Sequence, residues 1–130
     1  MEQLTPKQMK IANVLIDRAR ERAAGNTAEL LIDEAELATQ IGDGVWKRST
    51  GNDLIALSSF CFREGYPMVP LMVVIPELNK PEKTLMTGAF RATLSPSENA
   101  KRWNAELDAI KSADAAMWDE FKARVQPSED

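Results

Sequence analysis

The chain has 130 residues, 16 basic and 20 acidic, with no histidine and one cysteine. That length supports one domain with a single modest core, and a hydrophobic fraction of 44% excludes general disorder. Without histidine, Ser-His and Cys-His nucleophile pairs cannot be built, and one cysteine excludes both an internal disulfide and a cysteine zinc centre. The acidic excess lies in residues 1–41 and 92–130, while residues 42–91 carry six basic and five acidic groups. This is not the broad basic face of a strong nonspecific nucleic-acid binder, but it leaves room for a small basic patch in the middle.

The first helix is signalled at its start. Thr5-Pro6-Lys7-Gln8 is a capping box with proline at the first helical position. Ile11, Leu15 and Ala19 recur at spacing four, beside Ala12, Ile16 and Ala23. Gly25-Asn26 is the expected stop. Glu29 to Ile32 reads as a short strand. Asp33, with Glu36 three residues on, caps a second helix that ends at Gly42. A third helix is expected from about Asp53 to Glu64, with Leu54, Ile55, Ser58, Cys61 and Phe62 on its buried side and Gly65 as its stop.

Met68 to Ile75 reads as a strand, with Pro70 implying an edge position or a late start. Lys83 to Met86 would return as its hairpin partner. Ser95-Pro96-Ser97-Glu98 is a second capping box. It opens a helix toward Val125 in which Trp103, Leu107, Ile110, Met117 and Phe121 form a stripe, with a break expected near Ser112–Asp114. The expected fold is α+β: a winged-helix-like core over about 29–91, flanked by N- and C-terminal helices. Residues 1–125 form one domain and 126–130 a frayed tail.

Residues 32–74 carry two resemblances. Ile32-Asp33-Glu34-Ala35-Glu36-Leu37-Ala38, Ile41-Gly42, Arg48-Ser49-Thr50-Gly51, Gly65-Tyr66-Pro67 and Val69-Pro70-Leu71-Met72-Val73-Val74 resemble, in order, the winged-helix domain of DNA alkyltransferases and alkyltransferase-like proteins. The family's reactive cysteine and histidine would fall at Leu71 and Met72, so its alkyl transfer does not carry over. Arg48 does carry over, and the resemblance implies that it contacts DNA. Gly51, Leu54, Leu57, Phe60, Cys61, Gly65, Pro67 and Met72-Val73-Val74 also look like small domains found alone or joined to HNH-type nucleases in restriction-like and mobile-element loci. That likeness implies a phage or mobile-element context.

Three functional classes follow. The first is a non-enzymatic nucleic-acid-binding module using Lys47, Arg48, Ser49, Thr50, Arg63, Lys80 and Lys83, with the third helix in the major groove and the hairpin as wing. The second is a protein-binding regulator, or an inhibitor of a host defence or DNA-binding protein. It would use acidic helices and the residues Trp46, Trp103, Glu106 and Asp108. The third is a carboxylate-based enzyme, for which Asp33, Glu36, Asp43 and Asp53 are the loosely grouped set. The first is preferred over the second and the third is not expected. No catalytic residue, metal or cofactor is expected. The Trp103–Phe121 stripe is read first as core contact and next as a dimer seam on the C-terminal helix; a cytoplasmic location and no membrane span or secretory leader are also expected.

Overall fold

The computed structural model describes residues 4–22, 25 and 27–126. It is mostly helical: α1 (Pro6–Arg22), α2 (Thr27–Leu30), α3 (Glu34–Gln40), α4 (Arg48–Glu64), α5 (Lys83–Phe90), α6 (Pro96–Ser112) and α7 (Ala115–Arg124). Two short strands, β1 (Ile32–Asp33) and β2 (Val73–Val74), pair in parallel, with Ile32 opposite Val73 and Asp33 opposite Val74. Parallel pairing requires a long crossover, and α3 and α4 supply it. The fold class is therefore helical α+β. No helix among the described residues is long and apolar enough to cross a membrane.

The helix ends follow the local signals. The Thr5 hydroxyl accepts from Gln8 N–H and the Gln8 side chain accepts from Thr5 N–H, both at 3.1 Å, which is the reciprocal capping box. Asp33 Oδ1 accepts from Glu36 N–H at 2.8 Å and Ser95 Oγ from Glu98 N–H at 3.3 Å. Gly65 ends α4 with φ at +74°, the left-handed conformation that glycine adopts without steric cost. Asp114 is the expected break, and it caps α7 by accepting from Met117 N–H at 2.8 Å.

The core is organised on α1. Ile11, Ala12, Leu15, Ile16 and Ala19 are wholly buried, and α1 packs against α2, α3, α4, α7 and the turn at 69–72. The C-terminal return is held by polar bonds. Asn13 Nδ2 donates to the Val125 carbonyl at 3.0 Å, and Gln126 Nε2 donates back to Asn13 Oδ1 at 3.0 Å. Above them Tyr66 stacks on Phe121, centroids 4.6 Å apart, with Phe60 and Trp118 alongside. Arg124 lies over the Phe60 and Tyr66 rings and pairs with Glu64.

Several expectations are corrected. The antiparallel hairpin over 68–86 is absent among the described residues. Val69–Met72 is a 3-10 turn, only Val73–Val74 is strand, and Lys83–Met86 begins α5. Pro67 and Pro70 remove ladder donors and preset a helical φ, which suits a turn better than an edge strand. Glu29–Leu30 lies in α2 rather than in a strand. The third helix starts at Arg48, five residues before the expected Asp53, so Ser49–Asn52 are helical. Phe62 is 59% exposed, where the core side was expected. The stripe residues Leu107, Ile110 and Phe121 are by contrast buried in the chain's own core, as the first reading of the stripe expected. Asn26 of the expected first stop, Ala23, and tail residues 127–130 lie outside the described residues.

Because α1 packs against α2, α3, α4, α7 and the 69–72 turn, Leu15→Ala is expected to cost about 2–5 kcal/mol in urea denaturation, the range for a fully buried leucine. A cost below about 1 kcal/mol would contradict α1 as the centre of the core.

Candidate functional site

The start of α4 sits beside two other elements: the first residue of α3 and the start of α5. Between them lies a cavity of about 400 Å³, lined by Glu34, Trp46, Arg48, Asn52, Ile55, Glu82 and neighbours. Its position follows from the loop 41–47, which folds back through Gly42 and Gly44, both at positive φ. Asp43 anchors that loop. Its carboxylate meets Lys7 at 3.3 Å, Lys47 at 3.8 Å and the Thr50 hydroxyl at 3.4 Å. Burial works against its ionisation. The Lys7 hydrogen bond, the charges of Lys47 and Lys7 and the Thr50 bond outweigh burial and hold the carboxyl below its usual value. Lys7 also reaches Asp53 at 3.5 Å, tying the first turn of α1 to α4.

Two carboxyl groups face each other in the cavity. Glu34 is nearly buried, and its side chain hydrogen-bonds that of Glu82, the residue just before α5. Two carboxyl groups can bond in this way only by sharing a proton. Burial, then the Glu82 hydrogen bond and the charges of Glu82 and Asp33, raise the Glu34 pKa from 4.5 to about 7. Glu82 occupies the cap position of α5 but makes no side-chain capping bond.

Arg48 is exposed at the first position of α4 and forms no ion pair with a described residue. The residue before it, Lys47, makes no side-chain capping bond, so the first N–H groups of this 17-residue helix have no side-chain acceptor from the cap. Trp46 lines the same cavity and is half-buried. A cation, an indole face, an amide and a proton-sharing carboxyl pair thus converge. Such a set can place an anion at Arg48, a flat ring against Trp46 and hydrogen bonds at the carboxyl pair.

The expected nucleic-acid set is divided among several places. Lys47, Arg48 and Ser49 are exposed together at the α4 start. Thr50 is fully buried and its hydroxyl is bound to Asp43, so it cannot reach a phosphate. Arg63 lies in the last turn of α4, roughly 22 Å along the helix from Arg48 at 1.5 Å per residue. Lys80 and Lys83 line a different cavity, with Pro81 and Trp103.

Of the alternative protein-binding set, Trp46 lines the first cavity and Asp108 is exposed. Trp103 donates its indole N–H to the Leu71 carbonyl at 2.7 Å, fastening α6 to the 69–72 turn. Glu106 is partly buried beside Phe62, Met68 and Phe90, and burial pushes its pKa up.

Of the loosely grouped carboxylates, Asp33 caps α3 and Glu36 meets Arg18 at 3.5 Å, while Asp43 and Asp53 share Lys7. Cys61 is fully buried, and burial pushes its thiol pKa up, away from a reactive thiolate. The pairing of Glu34 with Glu82 has no signal in the sequence. The two residues are 48 positions apart, and no local pattern links them.

The carboxyl pair makes stability depend on pH. Glu34 takes up a proton more readily folded than unfolded, so its stabilising contribution is complete below pH 4.5 and is lost as pH rises through about 7. Glu34→Gln is expected to flatten the fall in stability between pH 4.5 and 7 and to stabilise the fold at pH 8. Thermal unfolding across pH checks this, and an unchanged slope would contradict the shared proton.

No protein-family model, curated protein or solved structure matches the chain, so its function is read from its own geometry.

Proposed function

We propose that this chain is a non-enzymatic binding module that engages nucleic acid through the start of α4. The observation that carries the reading is Arg48: exposed, without an ion-pair partner, at a helix start that has no side-chain cap, beside Trp46 at a cavity of about 400 Å³. Arg48, Lys47 and the N–H groups of Arg48 and Ser49 take a backbone phosphate, while Thr50 N–H donates to the Lys47 carbonyl at 3.0 Å. Trp46 offers an indole face to a base. Glu34 and Glu82 accept from, or donate to, a base edge, as carboxylates do for the cytosine amino group. On this reading α3 and α4 take the places of the two helices of a winged helix-turn-helix. Residues 75–82 stand in the place of the wing as a loop. The phage or mobile-element context implied by the sequence resemblances fits such a module.

A compact site with few cations is expected to bind with modest affinity and a shallow salt dependence. A protein-binding regulator is the second reading. It is favoured by Phe62, a large exposed aromatic side chain next to the groove that holds Glu106.

Fluorescence anisotropy with labelled duplex and single-stranded oligonucleotides, at low and moderate salt, tests the first reading. Arg48→Ala is expected to weaken binding about tenfold, as for one charge-assisted contact, and to lower the salt slope by about 1. Trp46→Ala is expected to cost about 1–3 kcal/mol if a base stacks there. No binding by the folded protein at low salt would overturn the reading. Pull-down with Phe62→Ser alongside would then test the second.

A further inference from the structure

A second cavity, of about 420 Å³, lies between the 75–81 loop, the start of α5 and the first turns of α6. Its size falls within the range of small-molecule sites, roughly 300–1,000 Å³. The walls are apolar, from Ile75, Met86, Leu94 and Trp103. Asn99 also lines it and is 91% buried, being 9% exposed. Its amide nitrogen donates to the Leu94 carbonyl at 3.4 Å, which fixes the orientation of the amide. The other end, Oδ1, is buried and has no hydrogen-bond partner. A buried acceptor without a donor is costly, and proteins retain such groups where something else satisfies them.

At the rim stand Lys80 and Lys83, both exposed and neither in an ion pair with a described residue. Lys80 is held there by a tight turn. Ile75 N–H donates to the Lys80 carbonyl at 2.8 Å, Asn79 N–H donates to the Ile75 carbonyl at 3.1 Å, and Glu77 and Asn79 take positive φ to close the turn. The cavity therefore has an apolar wall, two exposed lysines among its lining residues and, in Asn99, a buried amide with one unsatisfied acceptor.

We propose that this cavity binds a small amphipathic organic acid: a ring-sized apolar body, a carboxylate, and one N–H or O–H donor. The carboxylate lies between Lys80 and Lys83. The body packs against Met86, Leu94 and Trp103. The donor reaches Asn99 Oδ1 and completes its hydrogen bonding. A nucleic-acid strand does not fit this pattern, because the wall is apolar and carries few polar groups. The site is separate from the one at Arg48, and the inference does not rest on the nucleic-acid reading.

Indole-3-acetate has the three required parts and serves as probe, with 1-methylindole-3-acetate lacking the donor and indole-3-acetamide lacking the charge. Binding to the full chain is measured by titration calorimetry, with the Trp103 indole N–H followed by NMR. The expected result is saturable binding of indole-3-acetate that shifts the Trp103 signal and weakens about tenfold with either analogue. The double variant Lys80→Glu/Lys83→Glu, at two exposed positions, is expected to weaken binding at least as much. Asn99→Leu is expected to remove the discrimination between the indole and its N-methyl analogue. Should that variant not fold, the N-methyl analogue tests the same bond on the unaltered protein. Absence of binding by all three compounds at millimolar concentration would overturn the proposal. Equal binding of acid and amide, or binding unaffected by the lysine reversals, would also overturn it.

Discussion

Everything in this fold depends on burying one face of α1. Five of its residues are wholly inaccessible, and the helix touches the strand-bearing N-terminal segment, the long α4 and the C-terminal α7. A chain of this length has only one core to build, so the element at its centre fixes the angles of the rest. Arg18 extends that control to polar groups. Its guanidinium donates to the carbonyls of Leu30 and Leu31, which satisfies the end of α2 and holds the entry to β1. Lys7 does the same at the other end of α1 by holding Asp43 and Asp53. The loop before α4 is thus anchored to the first turn of the chain, and the position of Arg48 follows from that anchor.

The charged groups divide into those that hold the fold and those that do not. Asp43, Asp53, Lys7, Arg18 and Arg124 have partners across elements, and their charges are largely spent within the molecule. Arg48, Lys80 and Lys83 have no such ion-pair partners among the described residues. Glu34 and Glu82 are a third case, since they are brought together although each disfavours the other's charge. Two like carboxyls facing a cavity reduce stability at neutral pH. They stand apart from the charges that tie one element to another.

Much of the helical framework was legible in the sequence because its signals are local. Thr5 with Gln8, Asp33 with Glu36, Ser95 with Glu98, Gly65 and Asp114 each act within a few residues of where they stand. That residues 68–86 form no hairpin was not legible. An apolar run such as Met68–Ile75 suits either a strand or a buried turn, and the choice is made by what packs around it. Here α1, α4 and α6 close over the 69–72 turn and leave room for only two strand residues. In the site, Arg48 and Trp46 were legible because charge and aromaticity stand out at a helix entry. Glu34–Glu82 and Asn99 were not, because each gains its meaning from partners, or from a missing partner, far away in sequence. Thr50 was misread for the same reason: its hydroxyl belongs to Asp43.

On the proposed reading, α1-anchored packing turns the start of α4 toward a ligand. The most direct test is backbone and side-chain NMR of the full chain titrated with short duplex and single-stranded oligonucleotides at low salt. Shifts are expected to concentrate at the Trp46 indole, Arg48, Asn52 and Thr84, around the cavity lined by Glu34 and Glu82. Shifts confined to the α6–α7 face, or none at saturating oligonucleotide, would contradict it.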